Sequence, residues 1–150
     1  MSKNIRPHHF LDILRDYGYG IRYQPHEYEH ALHRIGEDLL GNLDREIVLV
    51  IAADDICRPR LHLRADGRCD DTMMRGEEII SKQDYNDGLD RWLWVHLELD
   101  RANRMTVGEF CRCGRGYLDG IEAVCAHPEE DPACRRIGLI EGLKKLNVER

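Results

Sequence analysis

The sequence predicts an α-rich α+β fold in a single compact domain, residues 1–150, with one buried strand and about five helices. Three observations carry that expectation. The uninterrupted apolar run Ile47-Val48-Leu49-Val50-Ile51-Ala52-Ala53 is rich in β-branched residues, which suits a strand covered on both faces. On either side of it, apolar residues recur at helical spacing. No internal repeat, low-complexity tract or linker divides the 150 residues, a length that buries a core without needing a metal to fold.

In chain order, Pro7 opens a helix whose apolar positions Phe10, Ile13, Leu14 and Tyr17 run to the turn Gly18-Tyr19-Gly20. His8 and Asp12, four residues apart, fall on the opposite face and read as an exposed hydrogen-bonded pair. His9 lies at the edge of the apolar stripe, half-buried. A second helix starts near Pro25, with Tyr28, Ala31, Leu32, Ile35 and Leu39 inward until Gly41-Asn42 stops it. At about 100° per residue, His26, His30, His33 and Glu37 lie opposite that stripe. Such a face is ordinarily solvated. Neutral imidazoles at this spacing can also converge on one transition-metal ion.

The central strand delivers Asp54-Asp55-Ile56-Cys57 to its exit, where open sheets tend to place their chemistry. A loop closed by Cys57 and Cys69 follows, and Leu61 to Arg64 reads as a short second strand. Asp70-Asp71 is expected to cap a helical turn reaching about Ile80, and Asp84 to cap the next helix. There Leu89, Trp92, Leu93 and His96 share a face. His96 reads as a core histidine with a satisfied ring nitrogen, and Trp92 and Trp94 point to different sides. Thr106-Val107-Gly108-Glu109 has the capping-box pattern, and four glycines weaken the helix after it. Cys111 and Cys113 in that helix diverge by about 200° and do not share an ion. A last helix from Asp131-Pro132 turns Leu139, Leu143 and Leu146 inward and carries Cys134 in its first turn, where the helix dipole favours a thiolate.

A formal net charge of -6, with bases interleaved among acids, disfavours a nucleic-acid partner. The first residues hold no apolar signal core and no stretch approaches transmembrane length, so the expected location is cytoplasmic, with no membrane partner. In a reducing compartment the six cysteines are thiols or metal ligands rather than disulfides, and none forms a Cys-x-x-Cys pair.

The opening Ile5-Arg6-Pro7-His8-His9-Phe10-Leu11-Asp12, the Gly18-Tyr19-Gly20 turn, the Asp54-Asp55-Ile56-Cys57 exit with Cys69 beyond it, and Leu89-Asp90 form one pattern. It resembles the small bacterial and archaeal domain-of-unknown-function family numbered twelve eighty-four, over roughly Ile5 to Cys134. That resemblance implies iron-sulfur binding and no particular reaction. Where the family pattern has cysteines, this chain has Asp12, Arg60 and Pro128. What remains is Cys57 with Cys69 and Cys125 with Cys134, enough for one four-thiolate site.

Three functions follow. The leading one is a metal-binding protein in which Cys57, Cys69, Cys125 and Cys134 hold an iron-sulfur cluster, with a structural zinc equally compatible with four thiolates. It would serve a redox or small-molecule partner. A second is a hydrolase or oxygenase with mononuclear iron, zinc or manganese held by a selection of His8, His9, Asp12, His26, His30, His33, Asp54 and Asp55. That site forms only if the first two helices pack over the strand exit. A third is a non-catalytic interaction module.

Overall fold

Three-stranded pairing around the central apolar run sets the frame. A computed structural model describes residues 2–21, 32–52, 54–57, 64–68, 70–121 and 132–146. Strand β1 (Lys3–Ile5) runs parallel to β2 (Glu46–Leu49), with Ile5 beside Leu49, and β5 (Arg104–Thr106) pairs antiparallel with the other edge of β2. Helices α1 (Pro7–Gly18), α2 (Leu32–Leu40), α3 (Lys82–His96), α4 (Val107–Gly116) and α5 (Pro132–Lys145) surround the sheet, and a separate hairpin joins β3 (Thr72–Arg75) to β4 (Glu78–Ser81). This is the α-rich α+β class the sequence predicts.

Within β2 the burial alternates. Ile47 and Leu49 are fully buried while Val48 is only half so. One face of the strand is packed, not both, and the ladder stops at Leu49 because the chain bends at Ile51 and Ala52. The apolar core draws on all five helices, and Phe10 meets Phe110 at 4.6 Å between ring centroids, joining α1 to α4.

Where a helical turn was expected after Asp71, the chain forms the β3–β4 hairpin. Gly76, at φ +63, opens a two-residue turn, and glycine at the first central position suits the type II′ turn that matches strand twist. Helix α3 consequently starts earlier than Asp84, and Ser81 caps it by accepting the Asp84 amide at 3.3 Å. The expected capping box at Thr106 and Glu109 is present in both directions. His96 receives its partner in the Tyr117 carbonyl at 2.9 Å, and Leu139 and Leu143 face inward from α5.

Helix α1 packs chiefly on α5, backbone close to backbone. A Cβ placed on Gly142 would lie 2.2 Å from the Leu14 carbonyl oxygen, and one on Gly18 would lie 2.0 Å from that of Gly138. Only glycine permits this approach. Among the described residues, no helix is long and apolar enough to cross a membrane.

Candidate functional site

The exit of β2 is tied back to β1 twice. Val50 donates its amide to the Ile5 carbonyl at 3.0 Å, and Asp55 exchanges with Asn4, its amide donating to the Asn4 carbonyl at 3.0 Å and its Oδ2 accepting the Asn4 amide at 2.9 Å. Between these ties Asp54 is folded under the start of α1, with 0% exposure. Its Oδ2 accepts the Arg6 amide at 2.7 Å and faces His9 Nδ1 at 2.7 Å, while Oδ1 accepts the amides of Ile56 and Cys57 at 3.1 and 3.2 Å. The Arg6 side chain offers α1 no cap. Asp54 fills that role, with its charge set against the positive end of the helix dipole.

Asp90 of α3 takes the next free amide. Its Oδ1 accepts both the His8 amide and His8 Nδ1 at 2.9 Å, and Oδ2 accepts Arg6 Nη1 at 2.8 Å. Arg6 Nη2 lies 2.9 Å from Asp87, which Gln83 also contacts from one turn earlier. Two histidine-carboxylate pairs thus stand side by side, with the His8 and His9 rings 4.4 Å apart.

Burial and charge pull against each other throughout this corner. Burial opposes the charged form of His9, yet the Asp54 carboxylate prevails and raises the imidazole pKa above its ordinary value. Burial likewise opposes ionisation of Asp54, but His9, its hydrogen bonds and the Arg6 amide hold the carboxyl well below the usual range. Asp90 is depressed against its own burial by His8 and Arg6. The Cys57 thiol, buried and hydrogen-bonded to Asp54, is pushed up to about 12. It stands as a neutral thiol and no activated nucleophile.

His9, Asp54 and Cys57 each present one donor atom, and these nitrogen, oxygen and sulfur atoms lie within 4.8 Å of one another. The site therefore joins one cysteine of the expected thiolate set with two members of the histidine-aspartate set. The other predicted residues go elsewhere. His8, expected on an exposed face, is buried because α3 covers it and Asp90 engages it. Asp12 also is not on open surface: Arg135 of α5 lies against it in a close ion pair and holds its carboxyl below the ordinary range despite burial. Asp55 is spent on β1. His33 lies half-buried in α2, with Nδ1 shielded from solvent and unpartnered among the described residues. Cys134 is exposed in the first turn of α5, with its carbonyl accepting the Tyr19 hydroxyl at 2.6 Å. Cys69, Cys125, His26 and His30 lie outside the described residues, as do Leu61 to Leu63 of the strand expected over Leu61 to Arg64, and Arg64 itself is in no strand. Cys111 is buried, pushed up to about 12 by desolvation, and Cys113 donates to the Leu97 carbonyl, so the two stay apart.

Arg6, Asp87 and Asp90 had no chemical role assigned from sequence. The available signal was the spacing Gln83, Asp87, Asp90, which places polar residues on the same face of α3 as buried Leu93. No protein-family profile, curated protein or solved structure matches this chain.

Proposed function

We propose that this protein binds a transition-metal ion at the exit of β2, with His9, Asp54 and Cys57 as ligands. The observation that supports the reading is the convergence of their three donor atoms within 4.8 Å, from segments far apart in the chain. Imidazole, carboxylate and thiolate together suit zinc or iron(II). Binding would release the protons that His9 and Cys57 now direct at Asp54, since metal ligands must be deprotonated. The amides of Arg6 and Ile56 would remain on Asp54 and keep its carboxylate oriented. Metal-ligand bonds of about 2.0–2.3 Å require the donors to close somewhat from their present spacing. Three protein ligands leave a fourth position for water, the arrangement of a mononuclear hydrolase.

One observation favours a second reading. Both oxygens of Asp54 already accept hydrogen bonds from the surrounding backbone, so the corner also works as a purely structural joint in a non-catalytic module.

The test is metal and acid-labile sulfide content of anaerobically purified protein, alongside His9→Ala, Cys57→Ser and Cys134→Ser. One zinc or iron without sulfide, lost in the first two variants and kept in the third, supports the mixed-ligand site. Iron with sulfide, lost with Cys57 and Cys134 alike, would instead favour the four-thiolate cluster with Cys69 and Cys125. Folded protein that stays metal-free after exposure to zinc and iron(II) leaves the structural joint.

A further inference from the structure

Helix α3 carries two large apolar side chains on the face turned away from the core. Gln83, Asp87, Asp90 and Leu93 form its buried line. At about 100° per residue, Asp84, Gly88, Arg91, Trp92 and Val95 share an arc on the other side, and the four with side chains are all exposed. Trp92 is 66% and Val95 73% exposed, and adjoining apolar groups left in water in this way mark contact surfaces. We propose that this face is the contact surface of a homodimer, in which α3 of one copy packs antiparallel on α3 of a second.

Charge selects the occupant. Asp84 and Arg91 stand on either side of Gly88, about two helical turns apart. A two-fold axis near Gly88 brings each Asp84 to the Arg91 of the second copy, and does so twice because such a contact is reciprocal. A parallel pair would instead set carboxylate against carboxylate and guanidinium against guanidinium. Among the described residues, Arg91 has no carboxylate partner. Asp84 pairs with Arg68 at 3.2 Å, but the two side chains are 73% and 50% exposed, and a pair so open to water competes weakly.

Geometry agrees. Gly88 places no side chain near the axis, and a Cβ there meets nothing within 4 Å; helix axes about 8–10 Å apart accommodate glycine or alanine at such a point. Trp92 lies one turn from Gly88, so the two indoles flank the axis and supply apolar area. Val95 lies nearly a turn further out. Antiparallel packing carries it to the opposite end of the second α3, where the β3–β4 hairpin joins at Ser81 and leaves Ile79 and Met74 exposed. The apolar groups at the two ends of α3 thereby approach each other across the interface. A helix pair of this length falls at the small end of specific interfaces, below about 1,200 Å², and a dissociation constant in the micromolar range is expected.

The experiment is sedimentation equilibrium of the full chain over about 1–500 µM, with a chelator and a reductant present so that neither a bridging metal nor a disulfide through exposed Cys134 contributes. The expected result is a reversible monomer–dimer equilibrium, weakened about tenfold or more by Trp92→Ser, by Arg91→Asp and by Asp84→Arg, and regained when Arg91→Asp and Asp84→Arg are combined. Ile137→Ser, which removes an exposed side chain on α5, should leave it unchanged. Circular dichroism confirms that the variants keep their helices. A monomer throughout that range overturns the proposal, as does a dimer that the α3 variants do not weaken or that Ile137→Ser dissolves. Single charge reversals that weaken the dimer without rescue in the combined variant overturn the antiparallel register. With the chelator present the readout is independent of metal at His9, Asp54 and Cys57, so the two proposals fail separately.

Discussion

Asp54 accepts the backbone amide of Arg6, 48 positions earlier in the chain, at 2.7 Å. A carboxylate from a strand exit thereby caps a helix whose own N-cap side chain is committed to α3. The same carboxylate serves His9, Ile56 and Cys57, which makes it the most heavily used polar group in the candidate site.

Removing that carboxylate leaves several buried donors unpaired. Asp54→Ala should lower unfolding free energy by about 3–5 kcal/mol, the range for breaking a buried charged network. Urea denaturation at neutral pH checks this. A loss below 1 kcal/mol, on the order of a single exposed pair, would mean that water replaces the carboxylate freely.

The pH dependence of the metal-free protein follows from two opposite shifts. His9 has a raised pKa when folded, so its contribution is complete below the ordinary imidazole value of about 6.5 and is lost as pH rises through the raised value. Asp54 is depressed, so its contribution is present above the ordinary carboxyl value of about 3.8 and is lost as pH falls through the lower one. Stability measured with a chelator present should thus decline on both the alkaline and the acid side. In His9→Gln the part of the alkaline decline that His9 causes should disappear while an acid limb remains.

Two glycine substitutions should have opposite signs. Gly88 lies within α3 and a Cβ there meets nothing within 4 Å, so Gly88→Ala should stabilise by about 0.5–1 kcal/mol through helix propensity. Gly142→Ala drives a Cβ into the Leu14 carbonyl and should cost about 1–3 kcal/mol or more as α1 and α5 part. Thermal unfolding of the pair reports both, and stabilisation by Gly142→Ala would contradict the close helix contact.

Glu98 follows α3 at φ +54, a left-handed conformation for a residue with a side chain. Its carboxylate accepts a hydrogen bond from the Tyr117 hydroxyl. Glu98→Ala and Glu98→Gly both lose that bond, but only glycine relieves the backbone. The glycine variant should therefore be the more stable of the two by about 1 kcal/mol, measurable as a shift in Tm.

What the sequence made legible was periodic or chemically marked. The α1 stripe Phe10, Ile13, Leu14, the capping box at Thr106 and the inward leucines of α5 each declare themselves within one or two helical turns. Strands β1 and β5 have three residues each, too few for alternation to register, and exist because β2 supplies their partners. At the candidate site, His9, Asp54 and Cys57 drew notice by residue type and by the abrupt end of the apolar run. The burial of His8 did not, because helical spacing describes a helix's own stripe and is silent about what covers the other faces. Asp87 and Asp90 were hidden for the same reason: a carboxylate on a helix reads as solvated until a buried arginine such as Arg6 is brought against it.

The capping of α1 from a distance bears on how the chain folds. Among the described residues, its first amides find acceptors only in Asp54 and in Asp90, which is 82 positions from His8. An isolated helix of 12 residues is marginal in water even with a local cap, and this one has none. Two long loops must close before α1 is secured, and contacts of such sequence separation form slowly. The N-terminal helix should accordingly be among the last elements to lock, so that a break at Asp54 shortens the lifetime of the native state more than it delays reaching it.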